Sequence, residues 1–307
     1  MTYVLVSIPA SRLDDLAASF SRHLRAEGKA PRTAVIYTQA VTQLSAWLVE
    51  RSRTPTLDQV TRPVIREFLA GLADRGLENG TIRTRYKGLH RFLGWCVEEG
   101  ELDAHPMRGL DVPVAPAKPV PVLTDPELVS LLKVCTGKAW TDHRDEAVVR
   151  VLLDCGIRVS ELVGLAVTDV DLDREMALVT GKGNRVRPVY FSVRTARALD
   201  RWIKRTRPRH RWSLLDALLL SQRGAFSADG VRSMLTERGR AAGIDHLHPH
   251  RFRHTFAHDF LVSGGQERDL KRLAGWSSDV MLERYRASAA DARAAQAARR
   301  LKRGDRV

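Results

Sequence analysis

A histidine and an arginine three residues apart, His250 and Arg253, sit in the run His248-Pro249-His250-Arg251-Phe252-Arg253-His254. An imidazole and a guanidinium at that spacing share a helix face and can converge on an anion, leaving room for a nucleophile. The chain's last tyrosine, Tyr285, follows after one more helical segment. Pro249 suits a first helical position and Gly264-Gly265 a stop, so residues 249–263 read as one helix. Phe252, Phe256 and Phe260 recur every four residues and can bury one stripe, while His250, Arg253 and His254 lie on an adjacent face. Taken alone, the run fits a basic amphipathic helix with solvated charges better than it fits a site.

Other residues carry signals of the same kind. Arg158-x-x-Glu161 follows a helix break at Cys155-Gly156-Ile157, which sets Arg158 at a helix junction. Lys182 lies between Gly181 and Gly183 at the tip of a β-hairpin, on backbone that can approach a ligand closely. Trp276 follows Gly275 and reads as an exposed tryptophan beside a glycine break, with Tyr285 nine residues on. Each has an ordinary alternative: a surface arginine, a hairpin-tip lysine, a packing tyrosine.

The elements that must position these residues fall into two groups. Residues 11–100 read as four helices: Ser11 caps the first, Pro31 opens the second, Thr61 precedes the third, and Asn79-Gly80-Thr81 starts the fourth. Ile36, Ala40, Leu44, Trp47 and Leu48 form one core stripe, and Ile82, Tyr86, Leu89, Leu93 and Val97 another. On the fourth helix Arg83, Lys87 and Arg91 share a separate face, suited to successive phosphates or simply solvated. Residues 111–121 hold four prolines in eleven positions, an extended connector that reaches about 34 Å at roughly 3.1 Å per residue, enough for two domains to embrace DNA. Beyond it, Thr124-Asp125-Pro126-Glu127 opens a helix and another spans about 142–154. Strands at 177–180 and 186–191 form the hairpin, with Pro188 confining the second to a sheet edge. Helices follow at 193–206, 229–242, 249–263 and 266–273, and Ser277-Ser278-Asp279 caps the helix that carries Tyr285. From residue 287 an Ala- and Arg-rich tail needs a partner surface or stays frayed.

Composition excludes several classes. With 307 residues, 44% hydrophobic and 28% charged, the chain has material for two cores and is not disordered. It lacks an apolar run of the roughly 18 residues that cross a bilayer, and Met1-Thr2-Tyr3-Val4-Leu5-Val6 lacks the charged start of a signal peptide, so a cytoplasmic, nucleoid-associated protein is expected. Cys96, Cys135 and Cys155 are scattered through helical contexts, which predicts buried small hydrophobes and neither disulfides nor a zinc site. The net charge of +14 points to nucleic acid. Residues 1–110 hold 15 Lys and Arg against 12 Asp and Glu, and the remainder 35 against 24, so most of the excess lies with the histidine-arginine run.

In order along the chain, Arg158-x-x-Glu161, Gly181-Lys182-Gly183, His250-x-x-Arg253-His254, Gly275-Trp276 and Tyr285 together resemble the tyrosine recombinases, the integrase family that includes Xer-like and Cre-like enzymes. The resemblance covers nearly the whole chain. It implies a mainly α fold with a small antiparallel β-sheet: an all-α core-binding domain (1–110), a linker (111–121), an α+β catalytic domain (122–290) and a basic tail (291–307). By resemblance Tyr285 attacks the scissile phosphate to give a 3′-phosphotyrosyl link, and Arg158, Arg253 and His250 surround that phosphate. Lys182 protonates the leaving oxygen, and Glu161 orients its neighbours. On their spacing and position, Arg83, Lys87, Arg91 and Arg251 are the expected contacts to the DNA backbone, and His254 reads as structural. The family's commonest residue at the position of Trp276 is histidine; an indole N–H there can donate to a phosphate oxygen but exchanges no proton. Two arginines, an imidazole and an indole can stabilise the charge of a phosphoryl transition state, so no metal, cofactor or ATP is implied. A phenol with an ordinary pKa near 10 needs help to lose its proton, and His250 is the candidate.

The resemblance also implies double-stranded recombination sites as partners, a homotetramer passing through a four-way junction, and a tail able to dock on a neighbouring subunit. A paralogous recombinase or accessory factors are further candidate partners. The short lead before the first helix leaves no room for an arm-binding domain. Strand religation of the type IB topoisomerase kind, and a non-catalytic DNA-binding protein of the same fold, are the alternatives; neither needs the whole set together with a tetramer-forming tail.

Overall fold

Apolar residues at three- and four-residue spacing build the first part of the chain from helices alone. The computed structural model describes residues 12–114, 121–181, 183–276, 278–301 and 304. The chain divides into two compact units, Met1–Ala117 and Lys118–Val307. The first holds α1 (Leu13–Ala26), α2 (Pro31–Glu50), a 3₁₀ turn (Leu57–Gln59), α3 (Arg62–Asp74) and α4 (Asn79–Glu98). The expected cap, Ser11, lies outside the described residues, and Arg12 occupies the position before α1. Helices α2 and α4 pack closely because Gly88 has no side chain: a Cβ there would sit 2.8 Å from that of Ala40. Phe20, Trp47, Phe68 and Phe92 fill the core beneath them.

The second unit surrounds one central helix. After α5 (Asp125–Val134), α6 (Trp140–Cys155) buries Ala147, Val148, Val149, Val151 and Leu152, so both of its flanks are covered. A short α7 (Val159–Val163) leads to an antiparallel sheet of β1 (Val170–Asp171), β2 (Met176–Thr180) and β3 (Val186–Tyr190), in that order. Pro188 thus stands on an edge strand, where its missing N–H leaves no ladder bond unmade. Next, α8 (Val193–Asp200) runs into a single π-helical turn (Arg201–Thr206). The loop beyond it is held by Arg207, whose guanidinium donates to the carbonyls of Ser213 and Ala217 at 3.0 and 2.8 Å. A hairpin of β4 (Leu220–Ser221) and β5 (Gly224–Ala225) was not expected, since two-residue strands leave no periodicity to read. The unit closes with α9 (Ala228–Ala241), α10 (Pro249–Val262), α11 (Glu267–Ala274) and α12 (Val280–Leu301).

The fold is therefore mainly helical with a small antiparallel sheet, as the sequence implies. The Ala- and Arg-rich tail continues α12, whose first half supplies Leu282, Tyr285 and Ala289 to a small core with Ala257, Leu261, Leu270 and Ala274. All three cysteines are buried and unpaired. Burial pushes the Cys96 and Cys135 thiols up to about 12, so they pack as hydrophobes. Among the described residues no helix is long and apolar enough to cross a membrane.

The end of α6 is fixed by Gly156, in the left-handed region at φ 56°. A Cβ there would meet the Phe256 ring at 2.4 Å. A non-glycine residue in that conformation costs about 1–2 kcal/mol before any clash. Gly156→Ala should therefore lower the unfolding free energy by about 2 kcal/mol or more, seen as a lower urea midpoint at unchanged slope. A wild-type midpoint would show that this turn does not need glycine.

Candidate active site

Helix α11 ends in a turn whose carbonyls face three arginines. Gly275 takes the left-handed conformation (φ 63°), with its N–H bonded to the Arg272 carbonyl and that of Trp276 to the Lys271 carbonyl, the Schellman arrangement. The carbonyls of Leu273, Ala274 and Gly275 are thus left outside the helix and need other donors. Arg187 Nε donates to Leu273 at 2.9 Å and Arg253 Nη2 to Ala274 at 2.6 Å. Arg158 Nη2 approaches Gly275 at 3.5 Å, the long limit of a hydrogen bond. The second fork of Arg253 grips the Gly156 carbonyl at 2.7 Å, tying α10 to the end of α6.

Glu161 sits beneath this turn and is 4% exposed. It reaches back to the backbone N–H of Arg158 at 2.9 Å, as an acid in a helix's first turn does. Its carboxylate also accepts from Arg158 Nη1 and, in a two-pronged pair, from Arg187 Nη1 and Nη2, all at 3.0 Å. Burial works against the anion, but the Arg187 and Arg158 donors outweigh it and hold the carboxyl below its ordinary range. Three arginines against one glutamate leave this cluster with two positive charges in excess, and Arg158, 39% exposed at its side chain, is its open member. Burial, then the charge of Arg158, lowers the Arg253 guanidinium to about 10, still protonated at neutral pH.

Above the arginines lies the tyrosine. Tyr285 is fully buried, stacked on Trp276 with ring centroids 5.2 Å apart and planes 8° from parallel. Trp276, expected to be exposed, is 6% exposed, because the Schellman turn folds its indole inward between Tyr285 and Arg253, whose Cζ lies 5.3 Å from the ring. Its buried Nε1 has no hydrogen-bond partner among the described residues. The Tyr285 hydroxyl meets Nδ1 of His254. His254, set aside from the sequence as structural, is therefore the imidazole beside the tyrosine, and the ring of His250 lies 6.3 Å from that of His254.

The remaining expected residues divide. Lys182 lies outside the described residues; at Gly181 beside it a Cβ would lie 3.4 Å from Glu161 Oε1 and 3.6 Å from Arg187 Nη1. On α4, Arg83 and Lys87 are exposed, but Arg91 is held by Glu27 at 2.6 Å and Glu98 at 3.3 Å, so it does not stand as a free cation. Arg251 does not face solvent either: it donates to the carbonyl of Val122 at 3.2 Å and to Glu127 at 3.0 Å, locking α10 onto the capped start of α5. Arg187 was missed. Its signal was present, since strand alternation puts Arg187 and Val189 on the inward face of β3, and an inward arginine needs a buried partner.

The chain shares its fold with the XerH site-specific recombinase, solved in a post-cleavage complex with its palindromic difH substrate, on which it superposes with a TM-score of 0.74 at 16% identity, covering 92% of this chain and 84% of that one. A lambda integrase tetramer bound to a Holliday junction matches with a TM-score of 0.68 at 16% identity, over 90% of this chain and 78% of that one. The family model for the phage integrase family matches residues 121–292, and that for the phage integrase N-terminal SAM-like domain residues 16–100. Tyrosine recombinase XerC of Mycobacterium sp. (strain JLS) is 30% identical over 281 residues, covering 89% of this chain and 94% of its own. The chain belongs to the phage integrase family and is a site-specific tyrosine recombinase.

His250 provides a check on the site's electrostatics. Partial desolvation of its ring, which keeps one face open to solvent, then the charges of His248, Arg253 and Arg158, hold its imidazole below the ordinary range. The unfolded ring titrates near 6.5, so between the two values the unfolded chain binds more protons. Its contribution is full above about 6.5 and is lost as pH falls through the folded value. His248, lowered by burial and by Arg251, acts in the same direction. The unfolding free energy should drop between pH 7.5 and 5.5, and His250→Asn should shrink that drop. An NMR midpoint for His250 at or above 6.5 would contradict this electrostatic picture.

Proposed function

We propose that the protein exchanges DNA strands through a phosphotyrosyl intermediate formed on Tyr285. The phenolic oxygen attacks the scissile phosphorus, the P–O5′ bond breaks, and the DNA strand leaves as a 5′-hydroxyl. Arg158, Arg253 and His250 grip the phosphate, the Trp276 N–H donates to it, and Lys182 hands a proton to the leaving oxygen. Glu161 holds Arg158 in place. The observation that carries this reading is the gathering of Arg158, Arg253, Trp276 and Tyr285 around one helix-terminal turn, with an excess of positive charge that only an anion balances. A phosphodiester is the anion that suits a +14 chain related to recombinases. The transition state puts further charge on the equatorial oxygens, and preorganised arginine forks stabilise it most where water is excluded.

In the resting arrangement Tyr285 is buried with its hydroxyl on His254, so attack requires α12 to shift and free the phenol. His250, on the more open face of α10, is the imidazole available to the reaction once that occurs. Because the covalent link conserves the phosphodiester, a second 5′-hydroxyl reverses the step on another strand without ATP. Strand exchange between two duplexes calls for four subunits, as in the lambda integrase tetramer, and the tail (291–307) is suited to dock on a neighbour. In this reading residues 1–110 form the core-binding domain, 111–121 the linker and 122–290 the catalytic domain, Arg83 and Lys87 lie along the DNA backbone, and the enzyme works in the cytoplasm at the nucleoid.

The test is a nicked duplex carrying the site footprinted by the protein beside its own gene. Wild type should give a detergent-stable protein–DNA adduct, and Tyr285→Phe should give none while still binding. An adduct from the Phe variant would place the nucleophile elsewhere. Binding should also weaken steeply with salt, log K falling linearly with log salt, and Arg83→Ala and Lys87→Ala should each flatten the slope by about 0.9. Unchanged slopes would remove α4 from the DNA interface.

A further inference from the structure

We propose that Arg187 is a positioning residue of the recombination reaction, acting on the phosphate through Glu161, Arg158 and the turn that carries Trp276. The inference rests on the phosphotyrosyl reading above and extends it to a residue that has no part in that chemistry so far.

Arg187 stands at the inward side of β3, opposite Val179 of β2. Its side chain is only 15% exposed. Its three hydrogen bonds all end on protein: two on the Glu161 carboxylate at 3.0 Å each, and one on the Leu273 carbonyl at 2.9 Å. It is thus committed to joining the floor of the site to its rim. On the floor, Glu161 is shared between Arg187 and Arg158. With Arg187 in place the buried carboxylate is largely satisfied, and Arg158 can turn its remaining donors to an incoming anion. Without it, Arg158 becomes the sole guanidinium on that carboxylate and is drawn down into neutralising it.

At the rim, Arg187 fixes the first of the three carbonyls that end α11, and so the direction in which the chain enters Gly275 and Trp276. The fit is close: a Cβ on Gly275 would lie 3.0 Å from the Arg187 Cζ. At Gly181, at the root of the hairpin that carries Lys182, a Cβ would lie 3.4 Å from Glu161 Oε1 and 3.6 Å from Arg187 Nη1, so the hairpin root runs beside the same pair. One guanidinium therefore touches the supports of three separate site elements. A lysine would keep the charge but could not span both carboxylate oxygens and the carbonyl from one point.

The test uses the full chain on the nicked duplex described above, in two forms: the ordinary phosphodiester, and a methylphosphonate at the scissile position, which carries no negative charge and needs arginine less. Arg187→Ala should bind DNA within about threefold of wild type yet form the covalent adduct about a hundredfold more slowly at saturating DNA, the loss expected of a site misplaced by about an ångström. On the methylphosphonate the deficit should shrink to about tenfold or less, because a residue acting through Arg158 matters less where Arg158 itself is needed less. Arg187→Lys should fall between, with wild-type binding. A wild-type adduct rate in either variant would overturn the proposal. Equal losses on both substrates would overturn it as well, showing that Arg187 merely holds the fold. If Arg187→Ala does not fold, Arg187→Lys on the two substrates decides by the same criteria. Absence of any adduct from wild type would instead strike the phosphotyrosyl reading itself.

Discussion

The second unit depends on how the last turn of α11 is satisfied. A helix end leaves carbonyls without partners, and burying them unpaired costs about 1–3 kcal/mol each. Here the donors are guanidinium groups brought from a helix junction, a strand and another helix: Arg158, Arg187 and Arg253. The arrangement solves two problems at once. The turn gains charge-assisted donors, and arginines that would repel each other are held together by carbonyl dipoles and the single carboxylate of Glu161. Removing one partner of such a buried pair typically costs about 3–5 kcal/mol, so α6, β3, α10 and α11 are held in register by these same guanidinium groups.

Much of this was legible in the sequence, for stated reasons. Helix periodicity, proline and glycine punctuation and the hairpin tip gave the element order, because these are local effects that tertiary packing seldom overrides. Arg158, Glu161, Arg253 and Trp276 could be named from spacing and resemblance, and they gather around one turn. What spacing cannot give is direction. Trp276 was read as exposed because it follows a glycine break, yet the Schellman turn aims its indole inward. Arg251 and Arg91 counted as cations available to DNA, but each is taken up by carboxylates brought close by the fold, Glu127 in one case and Glu27 with Glu98 in the other. Spacing alone places His254 in the scaffold, because its neighbour across the site comes 31 residues later, beyond the reach of any local pattern.

Arg187 shows the same limit from the other side. Its inward register on β3 was readable, but its partners come from α7 and α11, and their convergence is a property of the fold. The net charge of +14 likewise indicates a polyanion without saying which cations meet it. In the second unit several arginines serve the protein's own carboxylates and carbonyls first, Arg144, Arg207 and Arg238 among them.

The stacking of Tyr285 on Trp276 has a consequence for fidelity. A basic protein meets far more irrelevant DNA than target DNA and binds it through the same backbone charges. If every encounter presented an exposed phenol to a phosphate, scission would follow affinity alone. If Tyr285 is the nucleophile proposed above, storing its phenol inside the protein makes reactivity scale with the fraction of molecules whose α12 has come away, each tenfold scarcity of that state corresponding to about 1.4 kcal/mol of docking energy. If, as proposed, a neighbouring subunit captures the released helix, it would supply that energy only where subunits meet on a shared site. On the proposed reading, strand breakage would then be a property of an assembled complex rather than of a solitary molecule.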